Sequence, residues 1–210
     1  MIEGDDARHL ARSLRARPGE EIEVVDPTGF MLAVRLDHVS VSRVDGTVIG
    51  ERPHHPEPPW PVTVAIANLP AQALESALSR CTEAGAFAFI VFQAERSVAR
   101  GVKLERWRTI CREGAMLAGR LRVPEVSFAS SLEAVINAEE FPVMLQRDAP
   151  QRLWDIGALE HITLLVGPEG GWSERELALG ELSASLGPRN MRADTAALVG
   201  LAIALAARGD

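Results

Sequence analysis

The chain has 210 residues, 47% of them hydrophobic and 24% charged, which is the composition of an ordered protein of one or two globular domains. Its formal net charge of −7 argues mildly against general nucleic-acid binding, although the distribution of the charges matters more than their sum. Two cysteines, with no CxxC or HExxH pattern, argue against a disulfide framework and a metal site, and favour a reduced, cytoplasmic protein.

The first fifty residues predict a small β domain. Residues 5–16 form a predicted helix, and alternating apolar residues follow, with turns expected at 26–29 and at Asp45-Gly46. The stretch RPHHPEPPWP at 52–61 is typical of a stiff linker. We therefore expect a β domain over residues 1–52, a linker over 53–61 and a second domain over 62–210.

From Val62 onwards, apolar strands alternate with helices. Strands are predicted at 62–67, 86–92, 125–128, 141–146 and 161–166, with helices at 103–119 and 131–138 and another between the first two strands. This alternation predicts an α/β fold, a parallel sheet covered by helices on both faces.

Two glycine-containing stretches follow, LLVGPEGGWSERE at 164–176 and LGPRNMRADTAAL at 186–198. Each follows a predicted strand and precedes a helix; Ser173 and Glu176 have capping-box spacing, and Asp194 is predicted to cap the last helix. In a parallel sheet both loops lie at the carboxyl edge, where open α/β sheets bind ligands. Taken alone, the first loop is as typical of an ordinary turn as of a ligand site. The second loop, at this distance from the first, favours a site where backbone groups form hydrogen bonds with the ligand.

The last helix, residues 194–207, is apolar on all sides, including Leu198, Leu201, Ile203 and Leu205. Such a helix is normally buried on several sides, which predicts a homodimer. It is too short and too rich in alanine to span a membrane, and the first residues, MIEGDDARHL, have no signal-peptide pattern.

Together, the two glycine-containing stretches resemble the RsmE family, the 16S ribosomal RNA uridine N3-methyltransferases of the SPOUT class. Both stretches occur in the family's order at the end of the chain, and the resemblance covers nearly the whole chain, more weakly before residue 60. It implies a SPOUT parallel sheet tied in a trefoil knot, a small N-terminal PUA-like β-barrel domain that binds RNA, a homodimer, and S-adenosylmethionine held in the knot.

The resemblance also implies the site residues. The donor would be cradled by residues of both loops: Leu165, Gly167, Pro168, Glu169, Gly170, Leu186, Gly187 and Met191. Valine at Gly170 is therefore expected to block the donor. Arg192 is expected to act on the reacting base, stabilising the uracil anion that develops as N3 loses its proton. A surface salt bridge is the alternative for Arg192.

A basic segment between residues 96 and 122 carries eight arginine and lysine side chains against two glutamates. Such a segment can hold a phosphate backbone even in an acidic protein, although a solvated helix face is the alternative. Arg96, Arg120 and Arg122 match basic positions of the family. Arg106 and Arg112 are added as phosphate contacts because they lie in the same segment.

The sequence thus predicts an S-adenosylmethionine-dependent methyltransferase acting on N3 of a uridine in 16S ribosomal RNA, with that RNA or the small subunit as partner and without membrane or metal. Three positions depart from the family. Cys81 stands where lysine is expected, and Met116 and Leu117 stand where glutamate and glutamine are expected. They leave open a second function, a catalytically impaired RNA- or ribosome-binding protein on the same scaffold. A third, weaker hypothesis is a nucleotide-binding protein whose function is unrelated to RNA.

Overall fold

The structure is a computed structural model that describes residues 1–157 and 161–210. It contains two compact units, Met1–Pro56 and Glu57–Asp210, each with its own hydrophobic core. Within the described ranges, no helix is long and apolar enough to cross a membrane. The same residues contain no group of three histidine, cysteine, aspartate or glutamate side chains placed to hold a metal ion.

The first unit is built on an antiparallel sheet of four strands in the order β1-β4-β3-β2. The strands are β1 (Ile2–Glu3), β2 (Glu21–Asp26), β3 (Phe30–Val39) and β4 (Arg43–Pro53). Helix α1 (Gly4–Arg8) continues into a π-helical turn that ends at Ser13, three residues earlier than the predicted helix. Ala7, Leu36 and Val44 form the small core between helix and sheet.

The hairpin turn predicted at Asp45-Gly46 is wrong. The chain reverses between Val39 and Arg43, and both residues of the predicted turn lie inside β4. Gly46 pairs with Leu36 beside a bulge, where an added Cβ atom would come within 2.5 Å of Val34. Glycine is therefore needed here for the close approach of two strands rather than for a turn.

The second unit is built on a sheet of six strands in the order β10-β8-β9-β5-β6-β7, and every neighbouring pair is parallel. The strands are β5 (Val62–Ala67), β6 (Ala88–Phe92), β7 (Glu125–Ala129), β8 (Pro142–Leu145), β9 (Ile162–Val166) and β10 (Leu182–Ala184). All five residues of β9 are buried, as expected for a central strand covered on both faces. The predicted α/β fold is confirmed.

Helices on the two faces cover this sheet. One group contains α2 (Ala71–Glu83), α3 (Leu104–Leu117) and α6 (Ala193–Ala206), and the other contains α4 (Leu132–Ala138) and α5 (Glu174–Leu179). The three strands β8, β9 and β10 end side by side at one edge. The segments that follow these three strands therefore converge there.

A buried ion pair fixes the start of the second unit. The Arg120 side chain is 3% exposed, and its guanidinium donates to the Glu57 carboxylate at 2.5 Å. It also donates to the carbonyl oxygens of Thr82 and Ala86 at 2.9 and 2.8 Å. Arg120 could contact a phosphate only by breaking these bonds, so the expectation that it binds RNA is replaced by a structural role.

Replacing Arg120 by alanine should lower the free energy of unfolding by about 3–5 kcal/mol, because the Glu57 carboxylate would lose its buried partner. Chemical denaturation measures this loss. Arg106→Ala is the matched control, since Arg106 pairs with Glu75 at 2.7 Å on the surface. That exposed pair should contribute little to the free energy of unfolding, because water and salt screen it. Equal losses in the two variants would contradict the structural role of Arg120.

Candidate active site

A cavity of about 370 Å³ opens where β8, β9 and β10 end. Its walls come from residues 145–148 at the end of β8, from 166–169, 171 and 172 at the end of β9, and from 186, 187 and 189–191 after β10, with contributions from α5 and the start of α6. Cofactor sites commonly have volumes of roughly 300–1,000 Å³. The cavity therefore lies at the sheet edge expected from the sequence and is large enough for a cofactor.

The structure brings most of the predicted donor residues together. Six of the eight line the cavity: Gly167, Pro168, Glu169, Leu186, Gly187 and Met191. Leu165 is fully buried in the core instead. Gly170 contacts Arg96, whose guanidinium donates to the Gly170 carbonyl oxygen at 3.2 Å. A Cβ atom on Gly170 would lie 3.4 Å from the Cβ of Arg96 rather than in the cavity.

Trp172 joins the first loop to the end of β8. Its indole N–H donates to the carbonyl oxygen of Leu145 at 3.1 Å, and its ring stacks on Phe92 with 6.1 Å between centroids. A Cβ atom on Gly167 would lie only 2.8 Å from this ring. Glycine at this position thus lets the backbone of the first loop fold closely over Trp172 and form a wall of the cavity.

The predicted capping box at the start of α5 is confirmed. The Ser173 hydroxyl accepts from the Glu176 N–H at 3.1 Å, and the Glu176 carboxylate accepts from the Ser173 N–H at 2.9 Å. Glu176 is buried, and its other oxygen accepts from the Glu95 N–H at 3.0 Å. One carboxylate therefore ties the loop after β6 to the first glycine loop.

The second loop depends on Gly187, whose φ of +114° is rarely adopted by residues with a side chain. The Ser185 hydroxyl accepts from the Gly187 N–H at 3.1 Å and donates to the carbonyl oxygen of Arg147 at 2.7 Å. These contacts hold the second loop against the segment that follows β8.

The prediction that Asp194 caps α6 is wrong, because the helix begins at Ala193 and Arg192 occupies the capping position without a side-chain bond. Asp194 lies in the first helical turn, where a negative charge is still favourable. Arg192 lies between two cavity-lining residues, and its side chain is 72% exposed. Its Nε atom is 3.8 Å from the Asp194 carboxylate, longer than a hydrogen bond, so the guanidinium can still bind a ligand.

The segment after β8 was missed by the sequence analysis. Leu145, Gln146, Arg147 and Asp148 all line the cavity. Hydrogen bonds from Arg147 lower the pKa of the Asp148 carboxyl group. The predicted parallel strand at 141–146 was the available signal, because its end must lie at the same edge as the end of β9.

Four of the five predicted RNA-contacting arginines are exposed: Arg96, Arg106, Arg112 and Arg122. The guanidinium of Arg122 lies over the Phe87 ring at 3.9 Å. Arg106 and Arg112 are six positions apart on α3, about 120° around the helix axis. They therefore do not form a single row along the helix.

The three departures from the family lie away from the cavity. Cys81 is fully buried in the core, and burial raises its pKa to about 12, so its thiol stays protonated at neutral pH. Met116 and Leu117 are exposed at the end of α3. None of the three residues lines the cavity.

Comparison with known proteins identifies the family of the chain. Residues 56–205 match the model of an RNA methyltransferase domain, and residues 2–30 match that of an RNA methyltransferase PUA domain. The ribosomal RNA small subunit methyltransferase E of Mycobacterium bovis is 33% identical, over 96% of this chain and 84% of that protein. The protein of the same name from Bacillus subtilis is 31% identical, over 95% and 87%. The Neisseria gonorrhoeae protein, crystallised with S-adenosylmethionine, superposes with a TM-score of 0.85 at 26% identity, covering 96% of this chain and 88% of that one.

The parallel sheet, the cavity at its carboxyl edge and these matches define an RNA methyltransferase of the SPOUT class that uses S-adenosylmethionine. The expected enzyme class and methyl donor are thereby confirmed. The chain belongs to the ribosomal RNA small subunit methyltransferase E family.

Proposed function

We propose that this protein methylates N3 of a uridine in 16S ribosomal RNA, in the cytoplasm, at the cavity between the two glycine loops. The position of that cavity carries the proposal, because six residues expected to hold the donor surround it. S-adenosylmethionine, when bound, supplies a methyl group activated by a positively charged sulfur.

The cavity fits this donor in shape and polarity. Leu186 and Met191 offer apolar surface for an adenine ring, while Gly167 and Gly187 bring main chain to the cavity wall and Gln146 and Asn190 add polar side chains. Such a combination of apolar walls and a few polar groups is typical of cofactor sites.

The charged lining residues are of both signs: Asp148 and Glu169 are acidic, whereas Arg147 and Arg189 are basic. Arg147 forms an ion pair with Asp148 at 2.8 Å, so the charge of Asp148 is already balanced. We assign Glu169 to the positively charged side of the donor, since opposite charges attract each other.

Arg192 is assigned to the target base. The N3 atom of uridine lies on its pairing edge, so the base must leave its helix to react. As N3 loses its proton, negative charge develops on the neighbouring oxygens, and a guanidinium at the cavity mouth stabilises that charge. The proposed donor contacts are the six predicted residues that line the cavity: Gly167, Pro168, Glu169, Leu186, Gly187 and Met191. Leu165 and Gly170 are not proposed as donor contacts, because they do not line it.

Arg96, Arg106, Arg112 and Arg122 are the proposed phosphate contacts. Removing one such contact should weaken RNA binding and flatten the dependence of log Kd on log salt by about 0.7–0.9. We expect this result for Arg106→Ala, measured by titrating small-subunit RNA at several salt concentrations.

The control for this experiment is Arg80→Ala, which removes an equal charge from an exposed position of α2, outside the basic segment. Affinity for S-adenosylmethionine should stay unchanged in both variants. An Arg106→Ala protein with the wild-type salt dependence would show that α3 does not contact phosphates.

The domain roles are proposals as well. We assign residues 1–52 to a PUA-like RNA-binding domain, 53–61 to the linker and 62–210 to the SPOUT domain, with the trefoil knot. We also propose a homodimer. Five apolar residues of α6 are buried within its own unit: Ala193, Ala197, Leu201, Ala204 and Leu205. The dimer would therefore depend on the partly exposed Leu198, Val199 and Ile203.

The alternative, a catalytically impaired RNA-binding protein, was motivated by Cys81, Met116 and Leu117. Because none of the three residues lines the cavity, substitutions there leave the proposed donor contacts unchanged. The alternative therefore concerns the RNA target and the transfer step rather than donor binding. The two functions are separated by calorimetric titration with S-adenosylmethionine followed by a methyl-transfer assay on small-subunit RNA. The enzyme binds the donor and transfers the methyl group, whereas an impaired protein binds RNA and transfers nothing.

A further inference from the structure

An exposed tryptophan lies next to an arginine in a segment that pairs with Ser185, just before the second glycine loop. Trp154 is 51% exposed and belongs to a short 3-10 turn, Leu153–Asp155. The guanidinium carbon of Arg152 lies 5.8 Å from the centroid of its ring. Arg189 lines the cavity from the second glycine loop. We call Trp154, Arg152 and Arg189 the rim platform.

Backbone hydrogen bonds hold the rim platform against the second loop. The Leu153 N–H donates to the carbonyl oxygen of Ser185 at 3.1 Å, and the Ser185 N–H donates to that of Gln151 at 2.9 Å. Arg152 also donates to the Ser185 hydroxyl at 3.3 Å. Leu153 is buried in the core. Trp154 is therefore exposed although the segment that carries it is held in place by these hydrogen bonds and by the buried Leu153.

The two arginines of the rim platform converge. A Cβ atom on Gly187 would lie 3.7 Å from Nη2 of Arg189 and 3.9 Å from Nη1 of Arg152. Among residues 1–157 and 161–210, no carboxylate lies within ion-pair distance of either guanidinium. Two like charges that approach the same point repel each other, and an anion between them would relieve that repulsion.

We propose that the rim platform binds an unstacked nucleotide next to the target uridine, with its base on Trp154 and its phosphate between Arg152 and Arg189. This inference rests on the proposed function. A base that leaves its stack exposes the faces of its neighbours. Single-stranded RNA is commonly held by aromatic rings that stack on its bases and by arginines that contact its phosphates.

The test compares Trp154→Ala, Trp154→Phe and Trp60→Ala in binding a small-subunit RNA transcript that the wild-type protein methylates. Trp60 is the matched control, since it is 40% exposed in the same unit but not part of the rim platform. Trp154→Ala should weaken RNA binding about tenfold, the effect of one lost base-stacking contact. Trp154→Phe should retain most of the affinity, and Trp60→Ala should bind like wild type.

Arg152→Ala identifies the anion, because Arg152 belongs to the rim platform but does not line the donor cavity. It should weaken RNA binding and flatten its salt dependence, with calorimetric affinity for S-adenosylmethionine unchanged. A loss of donor affinity without loss of RNA affinity would assign the arginine pair to the donor carboxylate and overturn the proposal.

Two other results would also overturn it. One is Trp154→Ala binding RNA as tightly as Trp60→Ala. The other is a fall in the molar mass of Trp154→Ala by light scattering, which would make the surface an interface between two copies of the chain. Failure of the proposed function is seen separately, because the wild-type protein would then methylate no RNA.

Discussion

Replacing Arg192 by alanine is expected to slow methyl transfer about 100-fold, the size of effect seen when one donor to a developing anion is removed. The affinities for S-adenosylmethionine and RNA should change little, because Arg192 is assigned to charge that appears only during the reaction. Single-turnover transfer rates, measured together with both dissociation constants, separate these effects.

Arg175→Ala is the control for Arg192→Ala. The Arg175 side chain is 74% exposed, against 72% for Arg192, and it lies on α5 outside the donor cavity. Arg175→Ala should transfer methyl groups at the wild-type rate. If Arg192→Ala loses RNA affinity in proportion to its rate, Arg192 contacts the RNA backbone and not the reacting base.

Valine at Gly187 should reduce affinity for S-adenosylmethionine, because a side chain at positive φ costs roughly 1–3 kcal/mol. The second loop can relieve that strain only by leaving the conformation in which it lines the cavity. The added Cβ atom would also lie 3.7 Å from Nη2 of Arg189, which lines the cavity. Calorimetric titration measures the loss. Because a branched residue at this φ can disturb folding, Gly187→Ala is measured beside it, with thermal unfolding of both variants.

Gly170→Val is the informative counterpart. From the sequence alone this substitution was expected to block the donor, but Gly170 contacts Arg96 and does not line the cavity. We now expect Gly170→Val to retain most of its donor affinity. The opposite pattern, with Gly170→Val unable to bind and Gly187→Val unaffected, would place the donor at the tip of the first loop.

The parallel sheet and the position of the cavity could be predicted from the sequence, because both follow from local patterns. Apolar strands alternating with helices require parallel pairing, and loops after such strands must meet at the carboxyl edge. The spacing of Ser173 and Glu176 was sufficient to predict the start of α5.

The contacts that were not predicted are those between distant parts of the chain. In the sequence, Arg120 looks like the other arginines of the basic segment. Its partner Glu57 lies 63 residues earlier, so the sequence gives no sign of the ion pair. The contribution of residues 145–148 to the cavity depends on β8 lying between β9 and β10, a strand order that alternation alone does not give. Gly46 was assigned to a turn because the sequence does not distinguish glycine needed for positive φ from glycine needed for close packing.

Locating the transferred methyl group tests the proposed function most directly. Small-subunit ribosomal RNA from cells that lack this activity would be incubated with the protein and isotopically labelled S-adenosylmethionine, digested to nucleosides and analysed by mass spectrometry. We predict one labelled product, N3-methyluridine. Label on a ribose oxygen or on another base, or no label although the protein binds both the donor and the RNA, would contradict it.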